Sequence, residues 1–263
     1  MKETPSQSRQ RDLLSAQTNR VEQSQTLLID ADDTLWENNI YFERAIAAFI
    51  RYLDHTEHSA AEIRAVLNEC ERESIAAHGY GLASFRHSLA ACFERLSPKA
   101  ANAAADSVAD PERHADRLAQ IASFAASIAE QQIELLPGVA STLPRLAGRH
   151  RLILMTKGNA EEQQAKLDAS GVHMHFSAVE IPPEKHAAAY REVLRKYAID
   201  SRSSWMIGNS PKSDINPALE AGLNAVIVHH PNTWILEHEA LAAPPAAQRL
   251  LELHSFADLL QHF

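Results

Sequence analysis

The chain has 263 residues, which is enough for one large domain or two smaller ones, and 45% of them are hydrophobic. Its formal net charge is −9, so its surface would repel the phosphate backbone of DNA or RNA, and we expect no nucleic-acid partner. No run of 18 apolar residues occurs, so we expect no contact with a membrane through a spanning helix.

Residues 1–24 are polar and contain neither an apolar segment nor a cleavage signature. We predict a mostly disordered lead-in or a short helix, and not a secretory signal. The two cysteines, Cys70 and Cys92, lie in apolar helical patterns without CxxC spacing. We interpret them as buried thiols in a reducing environment, and we expect a cytoplasmic protein.

Five short apolar runs predict buried parallel strands, and helical patterns separate the last four. This alternation predicts an α/β fold with a Rossmann-like parallel sheet. The runs lie at 26–30, 151–156, 176–181, 204–208 and 224–229, and the third has the weakest pattern.

Between residues 30 and 151 no strand pattern occurs, and apolar residues recur instead at helical spacing. We therefore predict a helical cap domain at 38–136, inserted into a core formed by 25–37 and 137–263. Hinges are expected near 36–39 and 135–138, and the glycine-containing loop at 79–85 is expected to turn toward the site.

Two local signals concern helices of the predicted core. Asn159 is expected to cap a helix that ends at Gly171, with Glu162 completing a capping box. Pro144 falls inside the helix predicted at 139–148, so that helix is expected to start late or to kink.

Polar side chains follow four of the predicted strands at the point where each strand ends. In open α/β sheets, ligands bind at the carboxyl ends of the strands, so we expect these side chains to share one crevice. Acids, a hydroxyl group and lysines are the groups that handle a phosphate together with a divalent metal. They are Asp30, Asp32 and Asp33 after the first strand, Thr156 and Lys157 after the second, Lys185 after the third, and Asn209 and Asp214 after the fourth.

Four segments resemble the ordered motifs of the haloacid dehalogenase (HAD) superfamily. "DADDT" resembles its DxDx[TV] signature, "LMTKGN" its second motif, Lys185 in "PPEKH" its third, and "IGNSPKSDI" its fourth. The match extends over residues 26–230, and the helical insertion resembles a C1-type cap. DxDxT alone has little specificity, whereas four ordered motifs on four strand ends are specific.

The resemblance implies a phosphatase-like reaction. Asp30 would be the nucleophile that forms an aspartyl-phosphate, and Asp32 the general acid and base. Thr156 and the N–H groups of Gly158 and of the 31–34 loop would hold phosphate oxygens, and Lys157 could meet the substrate from the rim of the site.

The resemblance also implies a magnesium cofactor. Asp30, the backbone carbonyl of Asp32, Asn209 and Asp214 would bind Mg²⁺, and Lys185 would neutralise both the phosphate and Asp30. Members of the family usually have Asp where this chain has Asn209, which implies weaker metal binding. To act as an acid, Asp32 must be protonated near neutral pH, so we expect a raised pKa.

The expected substrate is a small phosphomonoester, and the sequence does not indicate which one. Three alternatives remain open: a 2-haloacid dehalogenase, a phosphotransferase or mutase, and a non-catalytic HAD-like binding protein. The acid at Asp32 argues against the dehalogenase, because a departing halide needs no proton. The oligomeric state cannot be read from the sequence.

Overall fold

The computed structural model of the chain describes residues 24–53, 57–96 and 111–263. All but the last residue of the polar lead-in predicted at 1–24 therefore lies outside the described residues. In the described parts of the chain, no helix has both the length and the apolar character that crossing a membrane requires.

A six-stranded parallel sheet forms the core, with the strand order β3-β2-β1-β4-β5-β6. All five predicted strands are present, and β1 lies between β2 and β4, with Leu28 opposite Ile153 and Met206. The bounds are β1 Thr26–Ile29, β2 Arg151–Met155, β3 Ala178–Glu180, β4 Ser204–Gly208, β5 Asn224–Val228 and β6 Leu250–Leu253.

Strand β6 was not predicted, because its short sequence LLEL carries a charge and lies at the edge of the sheet, where only β5 pairs with it. The central strands are buried on both faces, as parallel strands covered by helices are. Leu27 and Ile29 pack into one apolar cluster, and Leu28 between them packs into another on the opposite face.

In the described part of the insertion that follows β1, four helices are present, as the helical spacing predicted. They are α1 Asn39–Leu53, α2 Ala60–His78, α3 Leu82–Leu96 and α4 Pro111–Ala129. Their apolar stripes meet in one cluster, which contains both buried cysteines, Cys70 and Cys92. Helix α2 begins with a capping box formed by Ser59 and Glu62.

Four further helices pack around the sheet: α5 Val139–Ala147, α6 Ala160–Ser170, α7 Ala187–Lys196 and α8 Asn216–Glu220. Helix α5 continues through Pro144. The capping box predicted at Asn159 is only half formed. The Asn159 side chain accepts from the N–H groups of residues 161 and 162, but the Glu162 carboxylate accepts from Leu82 N–H on the helical insertion.

The helical insertion leaves and rejoins the core through two adjacent segments. Glu37 N–H donates to Glu134 O, and Leu136 N–H donates to Leu35 O, at 3.0 and 2.9 Å. These bonds hold the insertion over the edge of the sheet where β1, β2 and β4 end.

Candidate active site

A cavity of about 160 Å³ lies between the carboxyl ends of the strands and the helical insertion. The structure brings all the sequence-predicted site residues to this one cavity, as the four strand ends indicated. They are Asp30, Asp32, Thr156, Lys157, Gly158, Lys185, Asn209 and Asp214.

Asp30 lies directly after β1 and is buried. Its carboxylate accepts hydrogen bonds from Lys185 Nζ at 2.5 Å and from Thr34 Oγ1 at 2.9 Å. Burial, and then the negative charge of Asp214, raise the pKa of Asp30 to about 7, although Lys185 acts in the opposite direction. The ammonium group of Lys185 is therefore what allows this carboxylate to be ionised near neutral pH.

Lys185 follows β3 and contacts residues at the ends of three other strands, β1, β2 and β4. Its Nζ donates to Asp30 Oδ1 at 2.5 Å, to Asp214 Oδ1 at 2.6 Å and to the Met155 carbonyl at 3.0 Å. Burial lowers the pKa of the ammonium group, but the charges of Asp214 and Asp30 outweigh this effect and raise it. A permanent cation thus lies between the two carboxylates.

The turn after β4 places Asp214 and Asn209. A Cβ atom at Gly208 would lie 2.2 Å from Asp214 Oδ2, so the absence of a side chain there makes room for the carboxylate. Asp214 Oδ2 accepts from Ser210 N–H, and residues Pro211–Ile215 form a single π-helical turn. Such turns are often found at functional sites.

The oxygen ligands in this cavity have the chemistry of a magnesium site. The carboxylates of Asp30 and Asp214 and the amide of Asn209 are hard oxygen donors, which Mg²⁺ prefers. Asn209 Nδ2 donates to Thr233 Oγ1 at 3.1 Å, so its Oδ1 faces the hydroxyl of Thr34 and the carboxylate side of the site. The residues present therefore fit the cation, with one charge fewer than three carboxylates would supply.

Asp32 differs from its expected state. Its carboxylate accepts from Lys166 Nζ at 2.8 Å, from Gln163 Nε2 at 2.8 Å and from Trp36 Nε1 at 2.8 Å. Burial raises the pKa of Asp32, but the charge of Lys166 and these hydrogen bonds outweigh it, so the pKa is lowered. The expectation of a raised pKa is wrong for this state of the protein, because Lys166 on α6 was not foreseen as a partner.

Lys157 does not lie at the rim, and its side chain is only 13% exposed. Its Nζ donates to Tyr80 Oη, Glu184 Oε1, Ser213 Oγ and Glu237 Oε1, at 2.8–3.0 Å. Four acceptors use all three N–H bonds, so a substrate could bind to this ammonium group only by displacing one of them. The interpretation of Lys157 as a rim charge is therefore wrong.

The loop predicted to turn toward the site does so. Tyr80 Oη donates to Glu184 Oε2 at 2.6 Å, and Tyr80 and Gly81 line the cavity. Leu82 N–H donates to Glu162 on α6, so this loop connects the insertion to the core. The insertion also contributes apolar side chains and one acid to the cavity wall, namely Phe42, Ile75, Phe85 and Glu71.

Asp33 accepts hydrogen bonds from the backbone at the start of α1, and it does not lie at the centre of the cavity. It has a left-handed backbone conformation, with φ 60°, and its carboxylate accepts from the N–H groups of Asn38 and Asn39. Ligand atoms of Asp33, Glu37 and His230 lie within 4.8 Å of one another. Sequence spacing could not reveal this cluster, because His230 comes from the segment after β5.

A family model for haloacid dehalogenase-like hydrolases matches residues 25–222. Pyrimidine 5'-nucleotidase YjjG of Escherichia coli (strain K12) is 28% identical over 94 residues, which are 34% of this chain and 42% of that protein. The match therefore spans less than half the length of that relative.

Solved structures match over nearly the whole chain. A haloacid dehalogenase-like family hydrolase from Xanthomonas campestris has a TM-score of 0.68 and 23% identity, and 91% of this chain and 94% of that chain are covered. The putative HAD-hydrolase YfnB from Bacillus subtilis, bound to magnesium, has a TM-score of 0.60 and 15% identity, with 91% and 97% covered. At these identities the likeness shows the fold.

Proposed function

Because the chain belongs to the haloacid dehalogenase-like hydrolases, we propose that it hydrolyses small phosphomonoesters with Mg²⁺ and through an aspartyl-phosphate on Asp30. The observation that carries this proposal is the contact of Lys185 with both Asp30 and Asp214, at 2.5 and 2.6 Å. A carboxylate can attack a phosphate dianion only where positive charge offsets the repulsion between them.

The first half-reaction forms the intermediate. A carboxylate oxygen of Asp30 attacks phosphorus, the bond from phosphorus to the leaving oxygen breaks, and that oxygen takes up a proton. Asp32 is the proposed donor of this proton. Because Lys166 holds Asp32 as an anion without substrate, Asp32 must first gain a proton, and the charge of an entering phosphate dianion raises its pKa in that direction.

The second half-reaction releases phosphate. Asp32, now an anion, accepts a proton from water, the water oxygen attacks phosphorus, and the bond to Asp30 breaks. Inorganic phosphate leaves and the Asp30 carboxylate is restored. The ion pair with Lys166 keeps Asp32 ionised, which is the form that this step requires.

Phosphate binding and charge neutralisation involve the remaining strand ends. We propose that the hydroxyl of Thr156 and the N–H groups of Gly158 and of the 31–34 loop hold phosphoryl oxygens. Thr156 and Gly158 both line the cavity. Mg²⁺ bound by Asp30, the Asp32 carbonyl, Asn209 and Asp214 would supply positive charge for the phosphoryl group. The magnesium bound to the B. subtilis structure supports this assignment.

Nucleoside monophosphates are the first substrate class to test. The E. coli relative is a pyrimidine 5'-nucleotidase, although the match covers only part of both chains. We further propose that residues 38–136 act as a C1-type cap that closes over the substrate, with hinges at 36–39 and 135–138.

The test is phosphate release from 4-nitrophenyl phosphate, with Mg²⁺ and with a chelator. We expect activity that depends on Mg²⁺ and is lost in Asp30→Asn, with far-UV circular dichroism as the control for folding. Halide release from a 2-haloacid that persists in chelator, without phosphate release, would instead identify a dehalogenase.

A further inference from the structure

Glu71, on helix α2 of the insertion, is a buried acid with one carboxylate oxygen that accepts no hydrogen bond from the described residues. The residue is 4% exposed, and its Oε2 atom makes no hydrogen bond with any described residue. It lines the same cavity as Asp30 and Lys185. A buried carboxylate oxygen without a hydrogen-bond donor lowers the stability of the folded protein, so the presence of an acid at this position requires an explanation.

Other acids of the cavity each accept a hydrogen bond from a protein donor. The amine donors are Lys185 for Asp30 and Asp214, Lys166 for Asp32, and Lys157 for Glu237, while backbone N–H groups bind Asp33 and Glu162. Glu71 also lines the cavity but differs from these acids, because no described residue donates a hydrogen bond to its Oε2.

The positive charge with the larger effect on Glu71, that of Arg64 rather than Arg72, is already bound elsewhere. Arg64 acts on Glu71 electrostatically, but its NH1 and NH2 groups donate to the carboxylate of Glu43 at 2.8 and 2.7 Å, and its Nε donates to Asn68. Burial is the larger effect, and it raises the pKa of Glu71 to about 7. None of the described residues therefore donates to Glu71 Oε2, which leaves this oxygen available to a donor on a ligand.

The residues around Glu71 indicate what kind of ligand could donate a hydrogen bond to it. Ile75 lies one turn further along α2, and Phe42 and Phe85, whose rings are 5.0 Å apart, line the same cavity. An apolar wall beside one acceptor fits a ligand that has an apolar body and a single polar hydrogen at its edge.

We propose that Glu71 is a specificity-determining residue that accepts a hydrogen bond from an N–H group on the leaving group of the substrate. This inference rests on the proposed function, in which the phosphoryl group binds at Asp30 and the rest of the substrate extends toward the insertion. The N–H group belongs either to a neutral heterocycle or to a protonated amine, and matched substrates distinguish the two.

The experiment compares substrates that differ in this donor alone. Uridine 5'-phosphate is paired with 3-methyluridine 5'-phosphate, and 2-aminoethyl phosphate with ethyl phosphate. We expect kcat/KM to be about 10- to 100-fold higher for the donor-bearing member of one pair, because a hydrogen bond to a charged group has a net effect of that size. 4-Nitrophenyl phosphate, which has no such donor, reports the basal reaction.

The variants are Glu71→Leu and Glu71→Gln. Leucine removes the acceptor and should abolish the preference, mainly through KM, while 4-nitrophenyl phosphate turnover stays within about twofold. Glutamine keeps an acceptor but not the charge, so it should retain part of a preference for the heterocycle and lose a preference for the amine. Glu69→Gln, on the same helix but exposed, is the matched control and should change nothing.

Stability separates this role from a structural one. Because no described residue donates to Glu71 Oε2, Glu71→Gln should leave the free energy of unfolding unchanged or higher at neutral pH, whereas loss of a structural contact would lower it. Glutamine also serves as the test variant if leucine does not fold. The inference would be overturned if the parent protein showed no preference for either donor-bearing substrate, or if both Glu71 variants kept the preference of the parent. In either case, turnover of 4-nitrophenyl phosphate would still support the proposed function. Loss of all phosphatase activity in the parent would overturn both.

Discussion

At the scale of single residues, the site is organised by pairs of opposite charge. Lys185 joins Asp30 to Asp214, Lys166 binds Asp32, and Lys157 binds Glu237. Each pair joins parts of the chain that are distant in sequence, so each fixes the relative position of two loops. Burial and charged neighbours together set the pKa of these acids: Lys166 lowers that of Asp32, whereas burial raises those of Asp30 and Glu71.

Asp32→Asn should slow an alkyl phosphomonoester far more than an aryl phosphate. An alkoxide needs a proton to leave, whereas a 4-nitrophenolate does not, and a general acid contributes roughly 10²–10⁴ in rate where the proton is needed. The measurement is the ratio of mutant to parent rate in the first turnover, across leaving groups of different basicity. An equal loss for every leaving group would show that Asp32 is not the proton donor.

Asn209→Asp should tighten the apparent binding of Mg²⁺. A carboxylate adds the charge that the amide lacks, and Thr233 on its other side can donate to the new oxygen if its hydroxyl turns away from the His230 carbonyl. The measurement is the Mg²⁺ concentration that gives half-maximal activity. An unchanged value would show that residue 209 does not contact the metal.

At the scale of elements, the loop between α2 and α3 connects the insertion to the core. Gly81 has φ 127°, and a Cβ atom there would lie 2.9 Å from Glu162 Oε1, the carboxylate that accepts from Leu82 N–H. Tyr80, its neighbour, reaches Glu184 and Lys157. The backbone of this loop lies so close to Glu162 of the core that residue 81 must be a glycine.

Gly81→Ala should weaken substrate binding by displacing Glu162 and loosening the loop. Gly79→Ala is the matched control, because Gly79 also has a positive φ, 77°, but no atom lies within 4 Å of an added Cβ. Both variants carry backbone strain of about 1–3 kcal/mol, and only Gly81→Ala also disturbs the contact with the core. The measurement is KM for 4-nitrophenyl phosphate, and an equal change in both variants would mean that strain alone matters.

At the scale of the whole molecule, the fold places a rigid sheet edge opposite a helical bundle with its own apolar core. Lysines pair with Asp30, Asp32 and Asp214 at the sheet edge, whereas Glu71 on the bundle is buried and its pKa is raised to about 7. The unfolded chain ionises this group at its ordinary, lower pKa. Its ionisation in the folded state therefore costs stability.

The free energy of unfolding should fall as the pH rises, in part because of Glu71. The contribution of Glu71 to the free energy of unfolding is largest below the ordinary pKa of glutamate and falls as the pH rises from that value to about 7. Above about 7 it no longer changes, and the total loss is on the order of 3 kcal/mol. Urea unfolding in chelator at about pH 5 and about pH 8 measures it. The parent protein should lose more stability than Glu71→Gln over this range, and equal losses would contradict the assigned pKa.

The parts of the molecule that could be predicted from the sequence are those with local signals. Apolar runs gave the ends of β1, β2 and β4, and with them the positions of Asp30, Thr156 and Asp214. The ion pair of Asp32 with Lys166 joins residues 134 positions apart, and only tertiary packing creates it. The missing partner of Glu71 is likewise a property of packing, because a helical pattern does not show which acids remain without a donor.

The central claim, an aspartyl-phosphate on Asp30, is tested most directly by trapping the intermediate. The Asp32→Asn variant, which lacks the base for the attacking water, is mixed with 4-nitrophenyl phosphate and Mg²⁺, quenched in acid, digested and analysed by mass spectrometry. We predict a phosphoryl group on Asp30, a burst of nitrophenolate of about one equivalent, and neither of these in the Asp30→Asn variant of the same protein. Steady turnover of Asp30→Asn, or a phosphoryl group on another residue, would contradict the account.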